Sequence, residues 1–386
     1  MIFSLNRRGT FFALLCTSLL FVSCQRNRAS TVSETPEGIR VQGPGVQPNL
    51  GFACCEHGLE PMQRLLEQPD QLGMLKSLHA TVAIPIQDFS AQRATIVQQL
   101  NQQGIPVVAW IVLPKEQGYY LTADNAPQAA ARIADFEAWT QRNGLRWAAV
   151  GLDIEPSFDE LAQLQGHRWQ LIETLLARSA NLRRIGRAKK AYSALIDRIH
   201  SLGYPVQVYQ MPYIPMERDV HSTLPDRLLG SVDVSGDQNY LMLYTSFARP
   251  VGAGMIWSLG PHAEGIGVGS TDGDTVPGIG SGPLNWNEFS RDLIVASHFT
   301  RQVGVYDLEG CIRQGFLPRL VAMDWSQSVV IPKESVQRAR RVGFIARLIL
   351  WIVSNLLYLA IAGFVLIVWM IRRRRSRRKL ALGYAR

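Results

Sequence analysis

Residues 146–156 read RWAAVGLDIEP, an apolar run that ends in two carboxylates one residue apart and is closed by Pro156. Side chains alternate along an extended chain, so Trp147, Ala149, Gly151, Asp153 and Glu155 share one face while Ala148, Val150, Leu152 and Ile154 share the other. In a closed parallel barrel the second set packs under helices. The first set then points inward, with small residues low and the acids at the C-terminal rim, where such barrels carry their active sites. Capping of the next helix, or pairing with an arginine, is the competing use for acids in this position.

Seven other runs share this texture: LGFAC (50–54), ATVAIPI (80–86), PVVAWIVLP (106–114), PVQVYQMPY (205–213), NYLMLYT (239–245), GIGVGS (265–270) and QVGVYDL (302–308). Between them lie segments with apolar residues at helical spacing, such as 126–144 and 183–203, which end in Gly144 and Gly203, residues suited to a helix C-cap. Strands alternating with helices over about 280 residues predict a (β/α)8 TIM barrel across residues 50–330. An open doubly wound sheet is the alternative fold and would normally show fewer strands.

Both ends of the chain read as something other than core. Arg7 and Arg8 precede an apolar stretch from Phe11 to Val22 that is short for a bilayer span, which predicts an export signal over residues 1–24. Its end, Leu20 to Cys24, resembles a lipoprotein signal and makes Cys24 a lipidation candidate. Residues 25–49 are polar and rich in Pro and Gly and read as a flexible linker. After a juxtamembrane segment at 331–347, residues 348–371 carry no charge and RRRRSRRK follows. That pattern predicts a transmembrane helix with residues 372–386 as a basic cytoplasmic tail and the barrel on the other side.

The formal charge of +9 divides as +3 for residues 1–49 and +12 for residues 331–386, leaving −6 for residues 50–330. The folded portion is acidic, which argues against a nucleic-acid partner; the membrane is an expected partner, and protein partners are left open. Cys54, Cys55 and Cys311 fall in the exported portion without zinc-type spacing. One disulfide is expected there, with Cys54 or Cys55, at the end of the first strand, bonded to Cys311 just after the eighth. Neither HxH at the first run nor HExxH occurs, GIGVGSTDG is not a phosphate-binding loop, and the seven histidines are scattered. No metal and no cofactor are expected.

GLDIEP resembles the end of the Asp-x-x-Asp-x-Asp-x-Glu signature of the chitinase-like family 18 glycoside hydrolases, with Glu155 and Asp153 matching and Gly151 and Ala148 replacing the two earlier acids. Met242 and Tyr244 are similar to that family's Met-x-Tyr-Asp stretch, with Thr245 in place of Asp. The resemblance implies a glycosidase barrel with a carbohydrate substrate, in which Glu155 is the acid, Asp153 assists it and Tyr244 joins the site. Glycosidic cleavage independently requires a carboxylic acid and a second stabilising group, and a neighbouring carboxylate raises an acid toward working pH. The eighth run places Val303, Val305, Asp307 and Glu309 on one face if it follows the same register. Trp110, Tyr119, Tyr120, Tyr213, Gln210 and Tyr244 are candidate sugar contacts, and Glu309, Asp307, Asp272, Asp274 and Glu56 are further candidate acids; the second catalytic group is left open between the substrate's own amide and one of Glu309, Asp272, Asp274 and Glu56. A noncatalytic glycan-binding barrel is the alternative function, since two of the family's acids are replaced.

Overall fold

The computed structural model describes residues 32–35, 37–56, 58–156, 178–179, 181–249, 251–273 and 282–383. The expected export signal, Cys24 and Asp274 lie outside the described residues. The strands are β1 (Val32–Thr35), β2 (Gly38–Gln42), β3 (Asn49–Ala53), β4 (Thr81–Ile86), β5 (Val107–Ile111), β6 (Ala149–Asp153), β7 (Val206–Gln210), β8 (Gln238–Met242), β9 (Gly265–Gly269), β10 (Gln302–Tyr306) and β11 (Ser328–Pro332). The helices are α1 (Glu60–Leu66), α2 (Pro69–Ser77), α3 (Ala91–Gln102), α4 (Ala126–Asn143), α5 (Leu182–Ser201), α6 (Ile214–Asp219), α7 (Leu224–Leu229), α8 (Ala253–Leu259), α9 (Trp286–Phe299), α10 (Leu308–Arg313), α11 (Phe316–Val321), α12 (Lys333–Ser354) and α13 (Leu356–Gly383).

Strands β3 to β10 pair in parallel and in sequence order, and β10 closes on β3, so the chain is a (β/α)8 barrel. The eight sequence runs are the eight strands. Outward residues such as Phe52, Val82, Ile84, Val150, Leu152 and Val208 are buried beneath the helices. Fully burying side chains of this size contributes about 1.5–3 kcal/mol each. The inward face is uneven: β3, β4, β9 and β10 present Gly51, Ala53, Ala83, Gly267 and Gly304, whereas β5, β7 and β8 present Trp110, Tyr209 and Tyr240. Glycines create the space that the tyrosines occupy. A Cβ at Gly151 would lie 3.0 Å from the Tyr209 ring, and one at Gly265 would lie 2.7 Å from the Tyr240 ring.

Gly144 ends α4 in the left-handed conformation that its position suggests, with φ of 58°. Trp147 departs from expectation. It precedes the first residue of β6 and packs with Phe136 and Trp139 of α4 at centroid distances of 5.4 and 6.0 Å. Its Nε1 donates to Thr140 Oγ1 at 3.0 Å, a partner that the barrel interior would not supply.

The segment 25–49 is not a linker throughout. β1, β2 and β11 form a three-stranded antiparallel sheet outside the barrel, in which Ile39 pairs with Ile331 and Val41 with Val329. Ile39, Val41 and Ile331 are buried, because Ile39-Arg40-Val41-Gln42 alternates apolar and polar within Pro- and Gly-rich surroundings that mask it. Likewise, residues 331–347 are not a free juxtamembrane segment, since they finish β11 and begin α12, which packs on α8 and α6. The uncharged stretch 348–371 is split at Asn355, the C-cap of α12. Among the described residues no single helix is long and apolar enough to cross a membrane, and the pair Lys333–Ser354 and Tyr358–Arg373, bent by 70°, meets length and composition only together.

Candidate active site

Asp153 is the last residue of β6, and Glu155 follows two residues later. Segment 119–123 is laid against this exit: Leu121 N donates to the Asp153 carbonyl at 3.1 Å, and Glu155 N donates to the Leu121 carbonyl at 3.0 Å. Asn125 braces the segment, donating from Nδ2 to the Tyr120 carbonyl at 2.8 Å and accepting at Oδ1 from Thr122 N at 2.7 Å. The backbone on both sides of the two acids is therefore fixed by residues that follow β5.

Asp153 and Glu155 line a cavity of about 340 Å³ at the C-terminal mouth, together with Trp110, Tyr120, Tyr209, Tyr244 and Tyr306. Tyr244 and Tyr306 stack with centroids 5.1 Å apart, while Trp110 meets Tyr209 edge-on at 6.5 Å. The Tyr209 and Tyr240 hydroxyls donate to Gln207 and Gln238 at 3.1 and 3.3 Å, which turns polar tips toward the barrel floor and leaves ring faces above. A cavity walled by rings with acids at one side suits a ligand with apolar faces and hydroxyl edges.

A third carboxylate stands at the rim. Glu56 accepts from the Tyr120 hydroxyl at 2.7 Å and from the Tyr306 hydroxyl at 2.5 Å, one bond to each oxygen. Its carbonyl accepts from Gln87 Nε2 at 2.5 Å. Immediately before it, Cys55 has φ of 70° and donates from its backbone N to Glu309 Oε1 at 2.5 Å.

Burial dominates the protonation of the acid pair. It pushes Glu155 up to about 7, with the charge of Glu56 adding to the effect. Asp153 is raised well above the usual carboxylate range, first by burial and then by the charges of Glu155 and Glu56. Asp153 Oδ1 is buried with no hydrogen-bond partner among the described residues. Tyr244 is also held neutral, by burial and by the nearby Asp153 and Glu155 charges. The arrangement supplies a proton near neutral pH beside an oriented carboxylate.

The other candidates fall outside this group. Gln210 alternates with Tyr209 and faces away from the cavity, donating to the Val234 carbonyl at 3.0 Å. Tyr213 bonds Ser231 Oγ at 2.5 Å and does not line the cavity. The register of β10 is opposite to expectation: Gly304 and Tyr306 face inward while Val303 and Val305 join the outer core. The strand ends at Tyr306, so Asp307 becomes the N-cap of α10, accepting from Gly310 N at 2.8 Å. Glu309 is engaged with Cys55, and Asp272 pairs with Arg313. Thr245 turns outward to Asp292 rather than into the cavity. Glu56 does not itself line the cavity, but its charge acts on both Asp153 and Glu155.

The expected bridge to Cys311 is corrected. Cys54 and Cys55 are bonded to each other, and Cys311 is a buried free thiol, 3.8 Å from Thr271 Oγ1. Position after β10 directs Cys311 toward the loop that follows β9 instead of toward β3. Sequence reading also passed over Tyr209, Tyr240 and Tyr306. The signal for them was glycine: Gly304 and Tyr306 share one face of β10, and Gly304 pairs with Gly51 and Gly267 on its neighbours.

No family model matches the chain, and no curated protein matches it in sequence. Among solved structures it is similar to the glycoside hydrolase domain of PgaB (BpsB) from Bordetella bronchiseptica, at 11% identity and a TM-score of 0.44 over 72% of this chain and 98% of that one. It is also similar to the 3-keto-D-glucoside 4-epimerase YcjR from E. coli, at 12% identity and a TM-score of 0.40 over 72% and 99%. A xylanase-alpha-amylase inhibitor protein solved with trehalose is similar at 8% identity and a TM-score of 0.39 over 72% and 100%.

Proposed function

We propose that the protein is a membrane-anchored, extracytoplasmic glycoside hydrolase-like barrel in which Glu155 is the general acid. The observation that carries this reading is the acid pair itself: Glu155, raised to about 7, shares an aromatic-walled mouth with a buried Asp153 and faces the field of Glu56. Glu155 gives its proton to the glycosidic oxygen as the C–O bond breaks, and the sugar cation that develops is stabilised by Glu56 or by the substrate's own amide. Water then adds to the anomeric carbon and returns a proton to the site. Asp153 positions and tunes Glu155, as in the family 18 resemblance, and Tyr244 offers a neutral hydroxyl to the sugar. The exposed apolar side chains of α12 and α13, followed by Arg372 to Lys379, support a membrane anchor whose tail is cytoplasmic.

A noncatalytic glycan-binding barrel is favoured by one specific feature. The position of a family acid is Gly151, and its space is taken by the Tyr209 ring. Release of reducing ends from a glycan panel, with native protein and Glu155→Gln side by side, separates the two. Cleavage abolished by Glu155→Gln supports the hydrolase; tight binding with no cleavage by native protein supports the binding module.

A further inference from the structure

The chain between β7 and β8 stays at the mouth for most of its length. Met211 and Pro212 line the cavity, and the Gly230 carbonyl accepts from Ala123 N, in the loop that follows β5, at 2.6 Å. Only then does the chain descend: Val234 meets Gln210 near the top of β7, and Asp237 N donates to the Val206 carbonyl at its base at 2.9 Å. Helices α6 and α7 therefore lie on the mouth side.

Helix α12 is fastened to this same side. Its barrel-facing stripe is Ser335, Val336, Ala339, Gly343 and Leu350, all buried. Ser335 Oγ accepts from Gly254 N at 2.8 Å, and a Cβ at Gly254 would lie 2.3 Å from the Ser335 carbonyl oxygen, so only glycine permits this crossing. Toward the other end, Arg347 Nε donates to Asp219 of α6 at 2.7 Å, and Ser354 Oγ bonds Ser222 Oγ at 2.9 Å. The last turn of α12 thus ends on the mouth side of the barrel, beside α6.

The opposite face of α12 changes character along its length. Arg338, Arg340 and Arg341 are exposed, and after them Phe344, Ile345, Leu348, Trp351 and Ile352 are exposed apolar residues. Apolar exposure continues along α13 until Arg372. Basic, apolar, basic is the order of a bilayer in cross-section, which a protein partner would not require. Residues 356–371 span about 24 Å as a helix. The second half of α12, bent by 70° from α13, lies along the bilayer surface with its exposed apolar face inward, and the long stems of the flanking arginines help to cover the rest of a core of about 30 Å.

We propose that this face is seated in a lipid bilayer so that the cavity mouth lies against the membrane surface, and that the saccharide it accepts is carried on a lipid. The substrate class rests on the hydrolase reading above; the orientation does not. A sugar headgroup standing a short distance above the bilayer meets Glu155 directly, whereas a soluble polymer has to enter the gap between barrel and membrane.

The orientation is tested on the full chain, with Cys16 and Cys24 changed to Ser, in vesicles of phosphatidylcholine and phosphatidylglycerol containing doxyl-chain lipid. A fluorophore is attached at Thr223→Cys, on the mouth side, or at Gln103→Cys, before β5 at the opposite end; both positions are exposed. Strong quenching at residue 223 with none at 103 is expected, and equal or reversed quenching overturns the proposal. The substrate class is tested with a chito-oligosaccharide on a lipid anchor in the same vesicles and the same oligosaccharide free. Turnover of the lipid-linked form about tenfold faster, equivalent to 1.4 kcal/mol, is expected; equal turnover overturns it. Cleavage of neither form, with quenching as expected, sinks the hydrolase reading alone and leaves the orientation supported.

Discussion

The Tyr306 hydroxyl donates to one oxygen of the Glu56 carboxylate at 2.5 Å, joining the last residue of β10 to a residue just past the end of β3. Tyr120 serves the other oxygen at 2.7 Å. A carboxyl group held by two hydroxyl donors is fixed in orientation, which a stabiliser of developing positive charge needs.

Removal of one clamp is the first test of that role. Tyr306→Phe keeps the ring that stacks on Tyr244 and deletes the donor, so stability should fall by about 1.5–3 kcal/mol, the scale for a hydrogen bond to a charged group. Combining it with Tyr120→Phe should not be additive, because both act on Glu56. Strict additivity in urea denaturation would show that the two hydroxyls do not share a carboxylate.

Glu155→Gln preserves shape and removes the proton. Turnover on any glycan that the native protein cleaves should drop by roughly 10²-fold or more. For native protein the rate should fall as pH rises through about 7, since the acid is needed protonated. A basic limb unchanged by Glu155→Gln would assign that limb to another group.

The same group links folding to pH. Its folded value is raised from 4.5 to about 7 because burial disfavours the ionised form. Its contribution is therefore fully present below pH 4.5 and is lost as pH rises toward and through 7. Denaturant midpoints measured over that window should decline more steeply for native protein than for Glu155→Gln, and parallel profiles would contradict a raised Glu155 carboxyl.

Gly151→Asp restores the family acid in sequence but puts its Cβ 3.0 Å from the Tyr209 ring. Overpacking of this kind costs about 1–3 kcal/mol. A stable, more active Gly151→Asp would mean that the Tyr209 ring readily vacates the space.

Peptide mapping without reduction checks the cysteines. A Cys54–Cys55 link and an unmodified Cys311, alkylated only after unfolding, are expected. A fragment joining Cys311 to either neighbour would restore the pairing that strand order suggested.

The barrel was legible because its signal is periodic and repeated: each apolar run supplies an outward set, Val150 and Leu152 for β6, that only helices can cover. RWAAVGLDIEP also yielded Asp153 and Glu155, since alternation fixes which side chains face in. Trp147 escaped the same rule because the strand starts at Ala149, and periodicity does not mark a first residue. The β10 register failed for a related reason. Asp307 and Glu309 repeat the Asp-x-Glu spacing of β6 and set Val303 and Val305 on the inner face with them, whereas Gly304, which has no side chain to enter a hydrophobic pattern, gave no sign that its face and that of Tyr306 point inward. Glu56 became prominent through Tyr120 and Tyr306, 64 and 250 positions away, which no local pattern reports.

The small sheet of β1, β2 and β11 sets a timetable for the nascent chain. Ile39 and Val41 emerge early, yet their partners Ile331 and Val329 lie beyond the whole barrel. At about 5–20 residues per second, roughly 15 s to a minute of synthesis separates the two. Throughout that interval β2 presents an unsatisfied edge to whatever strand is near, its own barrel strands included. A cell making this protein has either to shield that edge or to keep the chain extended until Val329 arrives, and a ribosome stalled before Val329 would release a barrel without its clasp.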